Sequence, residues 1–161
     1  MLPSTSYAAP YGKGVYGIIT YGAETSLTID VGANVNISIT PTESGVLAKQ
    51  ANTVNVTSTD ATGCKLYIRA LTSTDMNNLG ALIPASANVV MAPLAINTWG
   101  YNIDGSNDFI GITLTDTLFK SITGPIIASI TSVTHGVKLN LEKPAGKYVA
   151  SVVFTAVPQT N

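Results

Sequence analysis

The chain has 161 residues and a net charge of −1, with only 11% of its residues charged. That length fits one domain or one domain plus an arm, and the charge excludes a basic footprint for nucleic acid. No run of about 18 apolar residues spans a membrane, and one cysteine with one histidine leaves no internal disulfide and no multi-histidine or cysteine-rich metal site, so neither a cofactor nor enzymatic chemistry is expected.

Uncharged polar residues replace the missing charge: 21 Thr, 13 Ser and 12 Asn. Val and Ile together number 29. Thr, Val and Ile are stiff at χ1 and fit a pleated surface, so composition predicts an all-β protein.

Residues 1–25 read as an extended Tyr/Gly-rich arm. Tyr-Gly recurs at Tyr11-Gly12, Tyr16-Gly17 and Tyr21-Gly22. Its centre, with Val15, Tyr16, Ile18, Ile19 and Tyr21, is a candidate donor strand, weak by itself because glycine adds no side-chain packing. Residues 26–161 read as one β-sandwich domain.

From Leu27 to Ile39 every odd position except Ala33 is a large aliphatic residue and the even positions are polar or Gly32. This predicts one strand with a buried and a wet face, bent at Gly32 and stopped by Pro41. Thr53 to Thr59 and Cys64 to Ala70, around Asp60-Ala61-Thr62-Gly63, predict a hairpin with Cys64, Leu66 and Ile68 inward. Residues 71–97 are irregular, with room for a short helical turn near 71–82. Strands follow at Thr98–Ile103, Phe109–Leu114 and Ile126–Val133. A final hairpin joins Val137–Leu141 to Tyr148–Ala156 through Lys143-Pro144-Ala145-Gly146. Short strands between Gly, Pro and Asx turns predict an antiparallel sandwich, Ig-like or jelly-roll, with Greek-key connections.

Several segments carry a resemblance. They are the run Val54 to Tyr67, Asn97-Thr98-Trp99-Gly100-Tyr101-Asn102, His135 to Asn140, Lys143 to Tyr148, and Val153-Phe154-Thr155-Ala156. Over roughly residues 50–157 the chain resembles secreted bacterial surface β-sandwich proteins, related to the WxL group and to pilin-like subunits. Trp99 is followed by Gly100 and Tyr101 rather than completing Trp-x-Leu. The resemblance implies an extracellular, non-enzymatic surface or assembly role.

Individual residues suggest further chemistry. His135 lacks a nucleophile context and reads as a surface histidine at a strand edge. Cys64 reads as a buried small hydrophobe. Asn102, Asp104, Ser106 and Asp108 place side-chain oxygens at alternate positions, a candidate calcium loop against an Asx-rich turn. Trp99 is either a sugar-stacking ring or a core residue. Asn36 and Asn55 head glycosylation sequons. Val149, Val153 and Val157 make the last strand's second face apolar, as a subunit-contact face would be.

The function expected is an extracellular, cell-surface structural subunit of a filament, pilus or surface layer. The arm would add a strand to a neighbouring copy, giving a homopolymer. The cell envelope or a host surface are further partners. The other reading is a monomeric adhesion or carbohydrate-binding module.

Overall fold

The structure, a computed structural model, describes residues 26–59 and 62–159. Every regular element among them is a strand. In chain order these are β1 (Leu27–Val31), β2 (Val46–Ser58), β3 (Cys64–Ala70), β4 (Met76–Asn78), β5 (Ala81–Ile83) and β6 (Ala92–Pro93). They continue with β7 (Thr98–Asn102), β8 (Asp108–Phe109), β9 (Thr117–Ile122), β10 (Ile126–Leu139) and β11 (Val152–Pro158).

All strand pairs are antiparallel. One sheet runs β1-β2-β10-β7, a second runs β11-β3-β9, and two small ribbons pair β4 with β5 and β6 with β8. The two larger sheets share one core, consistent with a β-sandwich. Val54, Val56, Trp99, Tyr101, Val133 and Val137 enter it from the first sheet; Cys64, Leu66, Ile68 and Ala70 enter from the second. Each fully buried Val, Leu or Ile contributes about 1.5–3 kcal/mol.

The outer face of the four-stranded sheet has its own packing unit. Gly100 of β7 stands opposite Gly136 of β10. The Phe109 ring lies against Gly136, and a Cβ built there would come 2.4 Å from ring atoms Cε1 and Cζ. Phe109 is 0% exposed. The missing side chain admits the ring, which replaces the packing that glycine lacks.

Several expectations need correction. The predicted strand 27–39 ends as a strand at Val31. β2 begins at Val46, not Thr53. Neither predicted hairpin is one: β2 and β3 lie in different sheets, as do β10 and β11. Inward parity is satisfied equally by the same sheet or the facing one, so alternation could not decide the partner. Asp60 and Ala61 of the first predicted turn lie outside the described residues. The helical turn near 71–82 is instead the β4–β5 hairpin, turning through Leu79 (φ 49°) and Gly80 (φ 97°). Leucine seldom adopts positive φ, which hid this turn. The strand 109–114 shrinks to β8. β9 was missed because its inward positions include Lys120, whose Nζ donates to Ser129 Oγ and Thr131 Oγ1 on β10. The segments 126–133 and 137–141 belong largely to one 14-residue strand, β10.

Candidate functional site

The core is open at one end, and the cause is strand length. β2 has 13 residues and β1 only five. β1 pairs with β2 from Val54 to Ser58 only. Gly32 N–H still donates to Thr53 O at 2.9 Å. Beyond it the chain leaves the sheet. Among the described residues, no main-chain group of residues 33–41 bonds to another main-chain group. The sequence alternation nevertheless persists: Val35, Ile37 and Ile39 are half-buried, while Asn34, Asn36 and Ser38 are exposed.

This segment and residues 143–152 border a cleft of about 820 Å³. Trp99, His135, Val137, Leu139 and Phe154 line its depth, and Ile37 and Ile39 its border. Side chains hold the surrounding loops. Tyr148 Oη donates to Pro144 O (2.9 Å) and Lys143 Nζ to Leu82 O (2.7 Å). Asn97, at φ 63°, donates from Nδ2 to Asn140 Oδ1 and Glu142 Oε2, and accepts the Asn140 N–H at its Oδ1.

Among the described residues, His135 is the one titratable group deep in this cleft. It lies mid-strand in β10, opposite Tyr101 on one side and Gln50 on the other. It is 7% exposed. That corrects the surface histidine expected from sequence. Burial pushes its pKa down to about 4, because an apolar surround disfavours the imidazolium. The ring is therefore neutral at pH 7, with one donor and one acceptor nitrogen. No hydrogen bond to it is present among the described residues. Burial also raises the pKa of Tyr101. The uninterrupted odd-numbered parity of Thr131, Val133, His135, Val137 and Leu139 was the signal that could have placed His135 inward.

The 102–108 loop is built otherwise. Asn102 is buried and donates from Nδ2 to Ser106 O (3.2 Å) and Asp108 O (2.8 Å). Its Oδ1 accepts the Gly105 N–H at 3.0 Å. Asp104 accepts the Ser106 N–H, which holds its carboxyl below the usual range. The Asp108 N–H donates to Ser106 Oγ. Lys49 Nζ donates to Gly105 O (2.7 Å) and Ser106 O (2.8 Å). The cation facing these carbonyls is thus an ammonium. Among the described residues no group of three or more His, Cys, Asp or Glu is placed to hold a metal.

Trp99 is 1% exposed, and its indole N–H donates to Thr74 O at 2.8 Å. Its ring presents no free stacking face. Cys64 is buried, on the inward face. Val153 and Val157 lie on the outer face of β11 opposite Arg69 and Lys65. Val149 forms a bridge with Asn77, and Val149 and Val157 remain 53% and 42% exposed. Asn36 is exposed on the cleft border. Asn55 stands mid-sheet between Asp30 and Ile130, and its buried Oδ1 has no partner. Val15, Tyr16, Ile18, Ile19 and Tyr21 lie outside the described residues.

No protein-family model, curated protein or solved structure matches this chain. No helix among the described residues is long and apolar enough to cross a membrane.

Proposed function

We propose that the chain is an extracellular structural subunit of a filament, pilus or surface layer. Its N-terminal arm, residues 1–25, adds a strand to the next copy. In this reading the fold is an Ig-like or jelly-roll sandwich that offers an incomplete edge.

One observation carries the reading. Residues 33–41 keep the inward-outward alternation of a strand but have no main-chain partner among the described residues. Unpaired strand-like backbone beside an apolar cleft is what strand addition satisfies: main-chain bonds give affinity and alternate side chains fill the cleft. The low charge of the chain suits close packing of copies.

The test is negative-stain electron microscopy of the full chain beside a chain starting at Thr25. Polymers from the full chain alone support the reading. Polymers from both, or dispersed particles from both, refute it.

A second reading is a monomeric cell-surface binding module. The cleft favours it, since about 820 Å³ falls within the size of a small-molecule site. Trp99 weighs against sugar stacking as its basis, being buried and already bonded.

A further inference from the structure

The chain carries two Asn-x-Ser/Thr sequons, Asn36-Ile37-Ser38 and Asn55-Val56-Thr57, and the fold treats them in opposite ways. A glycan is bulky and needs surface, and its transfer needs the whole sequon to enter the active site of a transferase.

Asn55 lies in the middle of a sheet. β2 is a central strand, so Asn55 stands between Asp30 of β1 and Ile130 of β10. The next residue, Val56, is 0% exposed and packs in the core. Thr57 Oγ1, the sequon's hydroxyl, donates to Ile127 O at 3.0 Å. Asn55 Oδ1 is buried without a partner. To enter a transferase, this sequon would have to leave both neighbouring strands and withdraw Val56 from the core.

The Asn36 sequon has none of these ties. It lies in the connection between β1 and β2, where residues 33–41 have no main-chain partner among the described residues. Asn36 and Ser38 are exposed, and Ile37 between them is half-buried. Asn36 Nδ2 donates to Asn34 O at 3.4 Å, a long bond within the same segment. Asn36 alternates with the half-buried Val35 and Ile37, so a glycan on it projects away from the core.

We propose that Asn36 is the N-glycosylation site of the folded chain and that Asn55 is silent. The co-substrate is an oligosaccharide carried on a lipid pyrophosphate. Asn36 Nδ2 bonds to the anomeric carbon of the first sugar. The anomeric C–O bond to the pyrophosphate breaks, the lipid pyrophosphate leaves with that electron pair, and the amide gives up one proton. The inference rests on the extracellular part of the reading above and not on strand addition.

Transfer to the folded, full-length chain tests it. The chain, produced without glycans, is incubated with an oligosaccharyltransferase of Asn-x-Ser/Thr specificity and a lipid-pyrophosphate-linked oligosaccharide. Digestion and mass spectrometry then read the occupancy of each site. Synthetic peptides spanning 32–40 and 51–59 give the acceptance of each sequon without the fold. Relative to its own peptide, Asn36 should react at a similar rate and Asn55 about tenfold or more slowly, because core strands open with free energies near that of global unfolding. Asn36→Gln should remove most of the uptake. Asn36 reacting no faster than Asn55 on this scale, or uptake unchanged by Asn36→Gln, overturns the proposal. The chain recovered from the cells that make it separates the two claims. A glycosylated Asn36 on a chain outside the cell supports both. A bare Asn36 on a chain outside the cell overturns the site alone. A chain confined to the cytoplasm refutes the extracellular reading and the proposal with it.

Discussion

Replacing His135 by Phe should remove a specific part of the protein's acid sensitivity. The imidazole has a pKa of about 4 when folded, against about 6.5 in an unfolded chain. Between those values the unfolded chain binds the extra proton and the folded protein does not. Stability therefore falls as pH drops through 6.5 and keeps falling until about 4. At pH 7.5 both states are neutral and the term is near zero. At pH 5 the unfolded chain is almost fully protonated at this site and the folded one about a tenth, which amounts to about 2 kcal/mol. Carboxylates add their own pH dependence, but wild type and His135→Phe share it, so the difference isolates the histidine. Urea denaturation of both proteins at pH 7.5 and 5 reads it. With a slope of about 2 kcal/mol per molar, the wild-type midpoint should drop about 1 M further than the variant's. Parallel pH profiles would show that His135 is not held neutral by burial, and the account of the cleft's depth would fail.

Two further outcomes follow from the packing. Gly136→Ala would gain about 0.5–1 kcal/mol in a free strand, but its Cβ would meet the Phe109 ring at 2.4 Å. We expect a net loss of about 1–3 kcal/mol by denaturation, partly rescued by Phe109→Leu; a neutral or stabilising Gly136→Ala refutes the ring-on-glycine packing. Asn102→Ala should cost about 1–2 kcal/mol, because it removes the three hydrogen bonds of a buried side chain while Lys49 and Ser106 still donate to the two loop carbonyls, whereas millimolar calcium should leave the wild-type melting temperature unchanged; a calcium-induced rise would show that Lys49 yields the loop to a metal.

The sequence was informative wherever alternation met burial. Cys64, Leu66 and Ile68 point inward as their parity requires, and so do Trp99 and Tyr101. Tyr148, Ala150, Val152, Phe154 and Ala156 pack against the core as one set. Partnership was not legible. A period of two places a side chain on a face but leaves open which strand lies alongside, so two sheet crossings read as hairpins. Local polarity misled at Lys120, which faces inward because β10 supplies two hydroxyls. At the cleft, residues 33–39 keep an alternating burial but form no strand, because a period of two places side chains without supplying a main-chain partner. His135 was read at a strand edge, although the strand runs on through Gly136, which is the seat of the Phe109 ring.

The lengths of the central strands bear on mechanics. β2 and β10 pair along nearly their whole lengths, while β1 hangs on β2 near one end and the cleft opens near the other. If copies are joined as proposed, tension enters a subunit at Leu27 and leaves beside residues 33–41, so the pull runs lengthwise along the strands. Bonds between strands pulled in that direction share the load and fail together, whereas a pull across them would open the pairs one at a time. The ladder between the two longest strands would then brace the fibre, giving a reason for central strands that outrun their neighbours.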